Sequence, residues 1–83
     1  MSKRVVEYFD FSICSYLNGE LHSFDDKPAV EYKNGTKMWF YKGKRHRNNG
    51  ASVEYKNGTK YWFIYGNLVS EEDYNFYIIT KTI

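Results

Sequence analysis

The sequence predicts an all-β domain: an antiparallel meander of three β-hairpin repeats, closed by a short C-terminal helix. Three observations lead there. The octapeptide VEYKNGTK occupies residues 30–37 and recurs unchanged at 53–60. Aromatic residues make up 20% of the 83 positions, nine of them Tyr, a bias that suits pleated surfaces and binding faces. A single proline and only two alanines, Ala29 and Ala51, disfavour a mainly helical or a disordered chain.

The octapeptide is the centre of a longer unit. AVEYKNGTKMWFYKG at 29–43 matches SVEYKNGTKYWFIYG at 52–66, and a worn copy, VVEYFDFSICSYLNG, stands at 5–19. A tail follows each closing glycine: NGELH at 18–22, KGKRH at 42–46 and YGNLV from Tyr65. One domain, 1–83, therefore divides into repeats over about 5–28, 29–51 and 52–69, a spacing typical of arrays whose units bury a core only by stacking. The remainder, 70–83, belongs to no repeat.

Asn-Gly between β-rich runs signals a two-residue type I′ hairpin. That turn at Asn34-Gly35 sets Lys33 opposite Thr36, Tyr32 opposite Lys37, Glu31 opposite Met38 and Val30 opposite Trp39. Asn57-Gly58 repeats the pairing as Tyr55 with Lys60, Glu54 with Tyr61 and Val53 with Trp62. Alternation then places Val30, Trp39, Val53 and Trp62 on one face, the expected core side. The other face carries Met38, Phe40, Tyr61 and Phe63 beyond its charges, and is too aromatic for bare solvent unless a second layer or a partner covers it.

Ser70 with Glu71, Glu72 and Asp73 reads as a helix start, a hydroxyl cap followed by acids against the dipole. The β-branched run after it predicts a helix over about 71–77 and an extended tail, a strand, over about 78–82.

Net charge is +2, but unevenly spread: residues 27–60 hold nine Lys and Arg against Glu31 and Glu54, a net +7, while the flanks carry −5. Such a surface is bipolar. Cys14 is the only cysteine, which excludes an intrachain disulfide framework. No apolar run approaches the roughly 20 residues that span a bilayer, and MSKRVVEYFDF has no apolar signal core. A cytoplasmic protein with no membrane partner is expected.

The stretches WFYKGKRHRNNGASVEYKNGTKYW at 39–62 and NGELHSFDDKPAVEYKNGTKMW at 18–39 resemble a hairpin repeat common in phage and giant-virus proteins, similar in turn to MORN-type repeats. The pattern is Trp/Phe-Tyr-x-Asn/Lys-Gly-Lys-x-His-Arg, then Asn/Asp-Gly-Pro-Ala, then Val-Glu-Tyr-x-Asn-Gly. This chain departs from it where Ser23-Phe24 follows His22, where Gly50-Ala51-Ser52 replaces Gly-Pro-Ala, and where Val69 stands in the His position. The resemblance implies an antiparallel hairpin array serving as an interaction scaffold, and no reaction. It further implies a phage-encoded accessory protein that binds a host protein, inhibition of a defence system such as CRISPR–Cas being one such role.

No cofactor, metal or catalytic pattern emerges. Cys14 lacks a nucleophile signature and aligns with Met38 and Tyr61 as a hairpin position. His22 with Asp25 and Asp26 lacks zinc-ligand spacing. His22 and His46 recur at one repeat position, as a lock at the hairpin end bonding a loop carbonyl or carboxylate. The sharpest feature is KGKRHR, where Lys42, Lys44, Arg45, His46 and Arg47 adjoin Phe40, with Tyr61 and Phe63 on the aromatic face. These eight residues are the expected partner-binding set for a non-enzymatic protein-binding module. Two further readings stay open: the cations grip nucleic acid or a nucleotide while aromatics stack on bases, or they are a solvated edge that deters strand pairing. An edge strand could also complete a homodimer.

Overall fold

The computed structural model describes residues 2–81. In chain order the strands are β1 (Arg4–Tyr8), β2 (Ser12–Leu17), β3 (Glu20–Leu21), β4 (Val30–Tyr32), β5 (Lys37–Met38), β6 (Phe40–Tyr41), β7 (Lys44–Arg45), β8 (Val53–Glu54), β9 (Lys60–Ile64) and β10 (Asn67–Val69), followed by helix α1 (Glu71–Lys81). Strands β1, β2, β4, β5, β8, β9 and β10 lie side by side in that order, each antiparallel to its neighbours. β3 folds back on β2, and β6 and β7 form a ribbon of their own. The fold is thus the expected all-β meander with one C-terminal helix. No helix among the described residues is long and apolar enough to cross a membrane.

The Asn-Gly turns differ from the two-residue turns expected of them. Tyr32 N–H donates to Thr36 O and Gly35 N–H to Tyr32 O, at 2.8 and 2.9 Å, so the loop has three residues. Asn34 Oδ1 accepts Thr36 N–H at 2.9 Å, and Gly35 alone takes a positive φ, +100°. The Asn side chain folds onto the backbone two residues ahead, which favours a type I turn followed by a left-handed glycine over type I′. The third copy repeats this with Asn57, Thr59 and Gly58.

One added loop residue flips every side chain of the return strand. Val30 faces Met38 and Glu31 faces Lys37; Val53 faces Tyr61 and Glu54 faces Lys60. Val30 and Trp39 therefore lie on opposite faces, and the expected shared Val/Trp core face is corrected. Two rows cross the sheet instead. Cys14, Val30, Met38, Val53 and Tyr61 form one, while Ile13, Glu31, Lys37, Glu54 and Lys60 form the other, on the reverse side. The second row alternates acid and base over four strands, a favourable cross-strand arrangement.

The type I′ turns sit at the closing glycines. Asn18-Gly19, Lys42-Gly43 and Tyr65-Gly66 each have positive φ at both residues, joining β2 to β3, β6 to β7 and β9 to β10. Each copy docks on the one before through them: Gly43 N–H donates to Leu21 O, and Gly66 N–H to Arg45 O, both 2.8 Å.

Helix α1 begins where expected, with Ser70 Oγ accepting Asp73 N–H at 3.0 Å. It runs to Lys81, so the strand expected over 78–82 is replaced by helix through residue 81; Thr82 lies outside the described residues. Tertiary contacts override β-branched propensity here. Tyr74 is buried, Tyr77 sets its edge toward His46, and Lys81 Nζ reaches Asn48 Oδ1 at 2.9 Å. The helix packs on β9, where Trp62, Tyr74 and Ile78 share a groove.

Ser70→Ala, which removes the cap, should lower stability by about 1 kcal/mol, and Gly58→Ala by about 1 kcal/mol or more because alanine is strained at positive φ. Urea titrations of the two variants measure both.

Candidate functional site

The basic run splits between two sides of the sheet. Arg47 turns inward. Its Nε and Nη2 donate to Asp26 Oδ1 and Oδ2 at 2.9 and 3.0 Å, and its Nη1 reaches Ala51 O and Glu54 Oε2, each at 3.2 Å. The guanidinium lies 3.8 Å from the Trp39 ring centroid, and Trp39 Nε1–H donates to Asp26 O at 2.9 Å. Asn49 Nδ2 adds a third side-chain bond to the carboxylate. The Asp26 carboxyl is held below its usual range, chiefly by the hydrogen bond from Arg47. Planar guanidinium on indole with a bidentate carboxylate is a geometry lysine does not reproduce.

His46 is also internal, 3% exposed. Its Nδ1 accepts Tyr65 N–H at 3.1 Å, which leaves the proton on Nε2 to donate to Asn48 Oδ1 at 2.8 Å. The ring stacks on Tyr65, centroids 3.8 Å apart and 6° from parallel. His22 does the same one copy earlier, its Nδ1 accepting Lys42 N–H at 3.0 Å. Both histidines bond a backbone amide of the next type I′ turn, a partner not expected from the sequence, and His46 also bonds a loop carbonyl oxygen, that of the Asn48 side chain. Val69 occupies the third position and offers no acceptor.

His46 and Arg47 are therefore removed from the expected partner-binding set: both face inward, because each supplies the bonds that join two copies. The other six residues are placed differently. Lys42 and Lys44 are exposed around the turn between β6 and β7. Arg45 is exposed, with its guanidinium 5.7 Å from the Phe40 ring centroid and 5.5 Å from that of Phe63. Tyr61, 42% exposed, lies two residues from Phe63 on the same face of β9. Phe40 and Phe63 are half-buried.

Arg45, Tyr61 and Phe63 line a shallow depression of about 380 Å³ together with Val53, Tyr55 and Leu68. Those last three were missed in the sequence. The signal for Leu68 was the Tyr65-Gly66 turn, which sets it directly opposite Phe63. Since α1 packs against the Trp62 side, no second layer covers this face among the described residues. The molecule measures 37 × 37 × 18 Å, too thin for further layers at about 10 Å each.

Cys14 is half-buried at the far end of the same side-chain row. Among the described residues no group of three or more His, Cys, Asp and Glu side chains gathers as a metal site. Asp26, once grouped with His22, is paired with Arg47 instead. No protein-family model, curated protein or solved structure matches the chain significantly.

Both histidines titrate below their ordinary value of 6.5. Burial is the main cause for His46, with Lys81 acting the same way and Asn48 opposing; burial, then Lys42 and Arg4, depress His22. The unfolded chain thus binds more protons than the folded one across this range, so stability is complete above about pH 6.5 and declines as pH falls through the folded values. Urea midpoints should be flat from about pH 8 to 7 and drop between about pH 6.5 and 5. His46→Gln should shrink that drop, and a midpoint rising on acidification would contradict the lock.

Proposed function

We propose that this chain is a non-enzymatic protein-binding module that takes an acidic protein surface on the uncovered face of its sheet. The observation that carries the reading is the position of Arg45, laid between Phe40 and Phe63 on the side that α1 leaves bare. Arginine and aromatic residues clustered around an apolar hollow are the composition of binding hot spots. The hollow supplies apolar contact through Tyr61, Phe63 and Leu68, and the exposed Lys42 and Lys44 of the neighbouring β6–β7 turn add to the positive field that steers an acidic partner. A basic middle flanked by acidic ends favours an acidic counterpart.

Three cations of KGKRHR are exposed, since His46 is buried and Arg47 is engaged with Asp26 and Glu54, and one of these already covers two aromatic rings. That arrangement favours a protein over a phosphate backbone, which calls for several free cations along a track. The resemblance to phage hairpin repeats points to a bacterial host protein as the partner, defence complexes such as CRISPR–Cas among them.

The test is affinity capture from a bacterial lysate with the whole chain and three variants. Arg45→Glu and Phe63→Ala should each reduce retention of a specific protein at least about tenfold, while Lys60→Glu, on the reverse face, leaves it intact. Matching melting curves exclude unfolding as the cause. Equal retention by all variants overturns the reading, and loss of all retention after nuclease treatment replaces it with nucleic-acid binding.

A further inference from the structure

β1 stands first in the strand order and is an edge strand among the described residues. Phe9 N–H donates to Ser12 O and Asn18 N–H to Lys3 O. With the β1–β2 register of Arg4 to Leu17 through Tyr8 to Ile13, these bonds mean that residues 3, 5, 7 and 9 point their backbone groups at β2. Arg4, Val6 and Tyr8 therefore present N–H and C=O groups outward, in three consecutive edge positions with no proline or bulge.

The same three residues share the reverse face of the sheet and carry complementary shapes. Tyr8 is 77% exposed, the highest value among the exposed large hydrophobic side chains, and Val6 is 50% exposed. Beside them lies a hollow of about 210 Å³ lined by Arg4, Val6, Ser15, Phe24, Asp25 and Lys27. Its Arg4 guanidinium rests 3.9 Å from the Phe24 ring centroid. The knob sits two residues after Val6, and the hollow opens at Arg4, two residues before it. A twofold axis perpendicular to the sheet, midway between two facing Val6 residues, brings each Tyr8 opposite the other chain's Arg4.

We infer that two copies of this chain pair antiparallel through β1, centred on Val6, with each Tyr8 ring seated in the hollow beside Arg4 of the other copy. This register uses all three outward-facing residues in hydrogen-bonded pairs, and it satisfies the requirement that an isologous patch complement itself. The Tyr8 ring gains a cationic neighbour in Arg4, and its hydroxyl enters a hollow that carries Asp25 and Lys27. Val6→Pro is the discriminating variant. The Val6 N–H points away from β2, so proline there removes no bond of the intramolecular ladder but blocks the intermolecular one.

Sedimentation velocity of the full chain at about 100 μM, where mass action favours any dimer tighter than that, should give twice the chain mass for wild type. It should give a monomer for Val6→Pro and for Tyr8→Ala, both with a folded β spectrum. Val6→Glu should likewise give a monomer, since the axis sets the two like charges directly opposite each other. A monomeric wild type overturns the inference, as does a dimer that survives these substitutions. Should Val6→Pro fail to fold, Tyr8→Ala and Val6→Glu decide the matter alone. Arg45→Glu should leave the dimer unchanged, so failure here is separable from failure of the binding face on the opposite side.

Discussion

The structure depends on one guanidinium. Arg47 stacks on Trp39 while its nitrogens reach Asp26 in the first repeat, Ala51 at the end of its own, and Glu54 in the third. A single side chain thus touches all three copies. A three-hairpin sheet has few buried residues to share: among the described residues the apolar ones are Ala29, Val30, Trp39, Ala51, Val53 and Tyr74. With so small a core, directional bonds that tie copy to copy set the register between them. Tyr74 extends the same network into the helix, its hydroxyl donating to Arg47 O and accepting from Gly50 N–H.

Around that clamp the repeat logic is simple. A histidine at the end of one copy accepts an amide from the type I′ turn of the next, and the turn's glycine bonds back to the preceding short strand. The array stops where Val69 supplies no acceptor, and α1 then covers Trp62 in place of another hairpin. The identical octapeptide serves this lattice. Glu31 and Lys37 pair within one copy, Lys37 and Glu54 between copies, and Glu54 and Lys60 within the next. Val30 and Val53 fill the centre of the opposite face.

Much of the fold was legible because repetition and turn residues are local signals. The all-β class with its C-terminal helix and the Ser70 cap could be read from them. The register was not, because Asn-Gly supports both a two-residue and a three-residue loop, and only the bond from Asn34 Oδ1 to Thr36 distinguishes them. That one residue exchanged the faces of the return strands. The end of α1 was misjudged for a different reason: β-branching at Ile78, Ile79 and Thr80 speaks for strand locally, whereas contacts of Tyr77 and Lys81 with the second repeat hold the helix. In the candidate site, alternation put Phe40, Tyr61 and Phe63 on one face, while Arg45 stood out only as part of the basic run. The sequence did not separate Arg45 from Arg47, two positions apart, since their difference lies in Asp26, a residue 21 positions away.

The measurement that bears most directly on this account is a double-mutant cycle on Asp26→Asn and Arg47→Gln, read by urea denaturation. A clamp between copies predicts that each single change is destabilising and that the pair is strongly non-additive, with a coupling energy of about 1–3 kcal/mol. Additive effects, or a coupling within the few tenths expected of an exposed surface pair, would contradict it.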